Sequence, residues 1–135
     1  MKGVEIRKIK LVHEDGRRGI WEIMNGELSI KNMKILKVKK GKQLLGNHWH
    51  PCAQEVMYIL KGGCSKYVME NIDTGEKETF KLTEGDVVFR TNRIVHGGIF
   101  DEDSIIIDGS TEVYINTDFN DIFKEVIKDE QSKGT

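Results

Sequence analysis

Three histidines and a glutamate in this sequence have the types and spacing of a metal site. His48 and His50 are separated by one residue, so their side chains lie on the same face of an extended chain. A turn at Pro51 lets the next strand bring Glu55 alongside, and a later strand can deliver His96. Three imidazoles and one carboxylate are donors that Zn, Fe, Mn, Ni or Co accept, with positions left for water or substrate. The four residues therefore predict a site for one divalent metal ion.

Short apolar stretches between turn residues predict the β-strands that position these groups. The stretches are rich in β-branched and aromatic residues, and most lie close to a Gly, Asn or Asp that can form a turn. They cover residues 19–24, 28–38, 55–60, 65–70, 78–82, 86–90, 98–100, 104–108 and 111–115. This pattern is typical of an all-β sandwich or barrel.

Only the region after residue 116 has a helical period. Phe119, Ile122, Phe123, Val126 and Ile127 follow an i, i+3, i+4, i+7, i+8 pattern. This spacing predicts a short C-terminal α-helix over about 117–130 that packs its apolar face on the barrel or on a partner subunit.

Length and charge restrict the class of partner. The 135 residues suit one domain, 1–135. With 21 Lys and Arg against 22 Asp and Glu, nothing favours nucleic acid or a membrane surface, so we expect a small-molecule partner. No apolar run is long enough to span a bilayer, and we expect a cytoplasmic protein. Cys52 and Cys64 are too few for a disulfide framework and are expected to be thiols.

Two segments of the sequence resemble the paired motifs of the cupin superfamily. The first is H-x-H-x4-E-x6-G, beginning at His48, and the second is G-D-V-V-F followed by a histidine, His96. The resemblance implies a cupin jelly-roll β-barrel over about 15–116 and the metal ligands His48, His50, Glu55 and His96. It also implies a homodimer, since cupins usually pair through an edge strand.

A weaker resemblance points to nucleotide-sugar enzymes. The stretch from Asp15 to Glu22 and the segment Gly46-x-His48-x-His50 are similar to parts of the dTDP-4-dehydrorhamnose 3,5-epimerases and the dTDP-4-oxo-6-deoxyglucose 3,4-ketoisomerases. Leu45 replaces the arginine that precedes the glycine in those families. The ketoisomerases generally lack the last histidine of the cupin motif, which is present in this chain.

These resemblances imply a metal-binding isomerase or epimerase that acts on a sugar or nucleotide sugar. The metal would polarise a carbonyl while His48, His50 or Glu55 moves a proton. Arg90 and Arg93 are candidates for substrate binding, because guanidinium groups bind phosphate in a bidentate manner.

Two other functions fit the same residues. Three histidines and a carboxylate can hold Fe or Mn with open positions for O2, which is the arrangement of a cupin dioxygenase. A non-catalytic cupin that binds a small molecule is the third interpretation. Turnover without O2, O2 uptake that depends on Fe, and metal binding with neither activity distinguish the three.

Overall fold

The computed structural model describes residues 1–40 and 43–128, which are almost entirely β. The first strands are β1 (Val4–Lys8), β2 (Lys10–Glu14), β3 (Gly19–Glu22), β4 (Asn32–Val38), β5 (Gln43–Trp49) and β6 (Glu55–Lys61). They are followed by β7 (Gly63–Asn71), β8 (Lys77–Thr83), β9 (Asp86–Arg90), β10 (Ile94–Phe100) and β11 (Ser104–Ser110). The helical turn α1 (Thr117–Asn120) and the strand β12 (Ile122–Phe123) complete the described elements.

The strands form two five-stranded antiparallel sheets and one separate hairpin. Sheet I has the order β1-β9-β6-β11-β4, and sheet II has the order β12-β5-β10-β7-β8. The hairpin consists of β2 and β3. From β4 to β12 successive strands alternate between the two sheets, except for the hairpin of β7 and β8 within sheet II, as in a Greek-key jelly roll. The predicted cupin jelly roll is confirmed.

The core lies between the two sheets because every second side chain of a strand points inward. Sheet I contributes fully buried side chains such as Ile59 and Ile106, and sheet II contributes Met69 and Phe100. Burial of one such side chain stabilises the fold by about 1.5–3 kcal/mol. This shared core fixes the distance between the sheets and therefore the width of the space between them.

The strand prediction differs from the structure at several places. β1 pairs with β9, so the barrel includes residues before 15. β10 begins at Ile94 rather than at 98, which places His96 inside a strand. Residues 111–115 form no strand; instead, the Asn120 side chain accepts hydrogen bonds from Ile115 N and Asn116 N and donates one to Val113 O. A side chain thus satisfies backbone groups that a ladder partner would otherwise bond.

The predicted C-terminal helix is limited to the single turn α1, so its extension beyond residue 120 is wrong. Ile122 and Phe123 pair instead with Trp49 and His48 at the edge of sheet II. A short isolated helix is marginally stable, whereas the open edge of β5 offers unpaired backbone groups. The last predicted helix residues, 129 and 130, lie outside the described residues. No helix in the described ranges is long and apolar enough to cross a bilayer.

Candidate active site

Two neighbouring strands of sheet II bring the three predicted histidines together. β5 carries His48, His50 follows directly after the end of β5, and β10 carries His96 directly opposite His48. The ring centroid of His48 lies 4.8 Å from that of His50 and 4.6 Å from that of His96. One nitrogen of each ring lies within 4.8 Å of the others. The structure thus brings together the three histidines that the sequence analysis identified.

The approach of β5 to β10 depends on a glycine. Gly46 has a φ of 104°, and a Cβ added to it would lie 2.4 Å from the backbone oxygen of His96. Any side chain would collide with backbone that cannot move freely. Gly46 therefore lets the two histidine-bearing strands meet at the site.

Asn47 connects this strand to the segment that follows α1. Its side chain donates a hydrogen bond to Ile127 O and accepts hydrogen bonds from Val126 N and Ile127 N. Asn47 itself is buried and has a φ of 57°, a left-handed conformation that asparagine tolerates better than most residues. These bonds hold the chain after α1 against the histidines.

That segment delivers Asp121, a site residue that the sequence analysis did not identify. Asp121 Oδ1 lies 3.0 Å from His50 Nδ1, and Oδ2 lies 3.9 Å from His48 Nδ1. The backbone oxygen of Asn120 lies 3.2 Å from His50 Nδ1. Asp121 fell within the predicted helix, and one aspartate in an acidic tail carries no signal of its own.

The other nitrogen of His50 faces Glu55. His50 Nε2 lies 3.0 Å from Glu55 Oε1, an ion-pair distance without the alignment of a hydrogen bond. Arg90 Nη2 donates to the same Glu55 oxygen at 2.9 Å, and Arg90 Nη1 donates to the Tyr67 hydroxyl at 3.0 Å. Glu55 and Arg90 are both buried, so each charge depends on the other.

These neighbouring groups shift the pKa values of the site residues in different directions. Burial alone would raise the pKa of Glu55, but Arg90 and His50 hold that pKa well below its usual value. Burial opposes the charge on His50, yet the carboxylate of Glu55 raises the His50 pKa. Burial, followed by repulsion from His50, lowers the pKa of His48. Burial, followed by repulsion from Arg90, lowers the pKa of His96 well below its usual value. One imidazole thus favours the charged form while its two neighbours favour the neutral form.

The histidines open onto a cavity of about 220 Å³ between the sheets. Sheet II lines it with the three histidines and Tyr67, and sheet I lines it with ionisable groups. The ionisable side chains of sheet I in the lining are Lys34, Glu55, Arg90 and Asp108. Buried Arg90 Nε makes no hydrogen bond within the described residues, so one donor of this cavity-lining guanidinium is left without a partner. The cavity can therefore hold a small polar molecule between imidazoles and charged groups.

The predicted substrate residue Arg93 is not in the cavity lining. Its Nε donates to both carboxylate oxygens of exposed Asp73 at 2.8 Å, and its guanidinium lies 5.3 Å from the ring centroid of Trp49. The structure thus brings Arg90 to the site and leaves Arg93 on the surface.

The predicted metal ligands fit an ion in part. Three imidazole nitrogens converge, and His50 Nδ1 faces the carboxylate of Asp121, a partner of the kind that orients many metal-bound histidines. Glu55 does not belong to this cluster, because its carboxylate is held by Arg90 and His50. The donor set that fits a divalent ion is therefore His48, His50 and His96.

Comparison with solved structures finds this fold in known proteins. No protein-family model and no curated protein sequence matches the chain. Solved structures with a similar fold include sugar-nucleotide 3,4-ketoisomerases and epimerases, all of low sequence identity.

Three neighbours illustrate the match. A mutant of the 3,4-ketoisomerase QdtA from Thermoanaerobacterium thermosaccharolyticum, in complex with TDP-4-keto-6-deoxyglucose, has a TM-score of 0.72 at 18% identity, covering 90% of this chain and 88% of that one. The WlaRB TDP-quinovose 3,4-ketoisomerase from Campylobacter jejuni has a TM-score of 0.75 at 14% identity, with 89% and 92% covered. The dTDP-4-dehydrorhamnose 3,5-epimerase from Sulfolobus tokodaii has a TM-score of 0.72 at 18% identity, with 89% and 76% covered.

Proposed function

We propose that this protein is an isomerase or epimerase that moves a proton on a carbonyl sugar, with a nucleotide sugar as the substrate class. The observation that carries the proposal is the pairing of His48 with His50 at the cavity. His50 is fixed between the carboxylates of Asp121 and Glu55, while His48 makes no contact closer than 3.9 Å with either carboxylate that faces the pair. The fold shared with sugar-nucleotide ketoisomerases and epimerases supports the same class.

Both reactions begin with removal of a proton from the carbon beside a carbonyl group. His48 is the base in this proposal, because its lowered pKa leaves a lone pair available at neutral pH. His50 has a raised pKa, and its charged form stabilises the negative charge that develops on the sugar oxygen as the proton leaves the carbon. Two neighbouring groups whose pKa values are pushed apart are the usual sign of an acid and base pair.

Glu55 and Arg90 position these groups. A carboxylate with a pKa well below its usual value is a weak base, so Glu55 serves to hold the charge on His50. Arg90 fixes Glu55 and presents its unpaired Nε to the ligand. The predicted catalytic role of Glu55 thus becomes one of positioning, and Arg90 is the substrate-binding candidate that the geometry supports.

The test is turnover of TDP-4-keto-6-deoxyglucose in D2O under nitrogen, followed by proton NMR. Wild-type protein is expected to exchange the proton next to the carbonyl for deuterium and to form the isomeric ketone or its epimer. The His48→Asn variant is expected to lose about 10²–10⁴-fold in rate, the usual contribution of a positioned general base. His13→Asn is the matched control, because His13 lies in the exposed β2–β3 hairpin. No exchange by wild type, or O2 uptake that requires Fe, would overturn the proposal.

Metal binding is a second candidate property, favoured by the three nitrogens within 4.8 Å of one another. A bound divalent ion would act as a Lewis acid toward a carbonyl oxygen. Elemental analysis of protein purified without added metal, beside a His48→Ala plus His50→Ala variant, tests it. Metal in the wild type alone supports the site, and equal content in both contradicts it. If His48 is the base, Zn²⁺ is expected to inhibit exchange, because the ion and the proton compete for one lone pair.

We also propose a homodimer. Exposed apolar side chains on the β2–β3 hairpin and on β4 support this proposal, and larger patches of this kind usually mark contacts. They are Leu11, Val12, Ile20, Trp21, Met33 and Ile35. Light scattering after size exclusion is expected to give twice the chain mass of 15.5 kDa, and the monomer mass would contradict it. The cytoplasmic location stays a prediction.

A further inference from the structure

Asp108 is a half-buried residue to which the proposed chemistry gives no role. It lies on β11 of sheet I, between Lys34 of β4 and Met57 of β6 in the register. The side chain lines the same cavity as the histidines, which lie on the facing sheet. Its Oδ1 is fully buried and has no hydrogen-bond partner among the residues that the structure describes. Unpaired buried carboxyl oxygens are rare, because each one costs solvation energy.

The charged groups around Asp108 are all engaged elsewhere. Lys34 Nζ lies 4.1 Å from the ring centroid of Tyr114. Glu55 and Arg90 pair with each other, and His50 faces Glu55 and Asp121. No described residue forms an ion pair with Asp108. Burial, together with the negative charge of Glu55, raises the pKa of Asp108 to about 7 against the opposing effects of Arg90, Lys34 and His50. The group therefore exchanges a proton near neutral pH.

We propose that Asp108 is a catalytic residue that gives and takes the proton on the oxygen atoms of the sugar, opposite the histidine that acts on carbon. This inference rests on the proposed isomerase function. The positions of the two residues support the inference, because Asp108 lines the cavity from sheet I and His48 lines it from sheet II. A substrate between the sheets would have the two groups on opposite sides.

The chemistry balances with these two groups alone. His48 takes the proton from the carbon beside the carbonyl, and Asp108 gives its proton to the carbonyl oxygen, which forms a neutral enediol. The Asp108 carboxylate then accepts the proton of the neighbouring hydroxyl, while the His48 imidazolium returns its proton to the former carbonyl carbon. The carbonyl has moved by one carbon, and both residues are back in their starting states.

One oxygen of the Asp108 carboxyl group can perform both proton transfers. Oδ1 is fully buried, so Oδ2 is the atom that donates a proton to one oxygen of the sugar and then, as a carboxylate, accepts the proton of the neighbouring hydroxyl. In addition, a pKa near the working pH gives the best compromise between acid and base strength.

The test compares Asp108→Asn with wild type on TDP-4-keto-6-deoxyglucose under nitrogen. The amide keeps the shape and a hydrogen-bond donor but cannot transfer a proton. We expect kcat to fall by about 10²–10⁴-fold with KM changed by less than about threefold. The limb of the pH–rate profile near pH 7 is expected to disappear in any residual activity. Asp101→Asn is the control, because exposed Asp101 accepts a hydrogen bond from Ser65 N that an amide can keep.

The outcomes separate the two proposals. An inactive wild type overturns the proposed function and this inference together. An active wild type with an equally active Asp108→Asn variant overturns the inference alone. A loss of kcat that leaves the pH limb in place also overturns it, since that loss would be structural. Infrared difference spectra provide a measurement without substrate: wild type minus Asp108→Asn should show a protonated carboxyl band that fades above pH 7. Absence of this band contradicts the inference.

Discussion

The two sheets line one cavity with different chemistry. Sheet II offers imidazoles that stay close together because β5 and β10 are direct neighbours. Sheet I offers charges of both signs, and its buried residues Glu55 and Arg90 form an ion pair. Sheet II therefore holds the imidazoles close together, and the Glu55 carboxylate of sheet I favours the charged form of His50. The difference shows that the histidine motif alone does not define the site, because the protonation states depend on the opposite sheet.

The largest effect is expected when Arg90, the buried cation of sheet I, is removed. Arg90→Met is expected to lower the free energy of unfolding by about 3–5 kcal/mol, because Glu55 would be left buried without its partner. Urea denaturation followed by circular dichroism measures the change.

The double variant Arg90→Met plus Glu55→Gln distinguishes charge from packing. It removes both charges, so we expect it to recover much of the lost stability. If the double variant is as unstable as the single one, then Arg90 acts through its packing against Tyr67 and Met57, and the charge argument fails.

A second variant tests sheet II through its connection to the segment after α1. Asn47→Gly keeps the left-handed backbone but removes three hydrogen bonds to residues 126 and 127, which is expected to cost about 1–3 kcal/mol. The rate at which the enzyme exchanges the substrate proton for deuterium should fall, because Asp121 loses its fixed position. Asn25→Gly is the control, since Asn25 is exposed. Full activity with lowered stability would show that the position of Asp121 does not matter.

The pKa shifts predict how activity depends on pH. The rate of exchange should rise as pH passes the lowered pKa of His48 and fall as pH passes the raised pKa values of Asp108 and His50, which gives a bell. In Glu55→Gln the descending limb should move to lower pH, because the carboxylate that raises both of these pKa values is gone. An unmoved limb would assign it to another group.

The same shifts predict stability. His48 and His96 have lowered pKa values, so their contribution is present above the usual value of 6.5 and is lost as pH falls through their folded pKa. Glu55 adds a loss at still lower pH, below its usual value of 4.5. His50 has the opposite sign, and its contribution is lost as pH rises through its raised pKa. Asp108, with its pKa raised to about 7, likewise loses its contribution as pH rises. Urea midpoints measured across pH should therefore fall on both the acid and the alkaline side; a midpoint that does not change on acidification contradicts this.

The smallest effect is expected at Arg93. Arg93→Gln removes an exposed ion pair with Asp73, which is worth at most about 1 kcal/mol. KM and kcat should stay within about twofold of wild type, because Arg93 is not in the cavity lining. A rise in KM for the nucleotide sugar alone would show that the sequence prediction of Arg93 as a substrate residue holds.

Local patterns in the sequence were enough for part of this site. The spacing of His48 and His50 follows from the period of a strand, and the strands themselves follow from apolar stretches between turns. Asp108 and Asp121 had no such signal, because their roles depend on which strands become neighbours. The helical period of 119–127 was misleading for the same reason: pairing with the edge of β5 stabilises this segment more than a lone helix could.

The hydrogen bonds of Asn47 also set the order in which the protein becomes complete. They join residues 80 positions apart in the chain, and such distant contacts form late because long loops must close first. During synthesis, the strands from β1 to β11 leave the ribosome before the segment with Asp121 and can pair first. In the nascent domain the three histidines would already lie together, but His50 Nδ1 would lack its partner Asp121. Closing of the last segment is then the step that converts a folded barrel into the proposed enzyme.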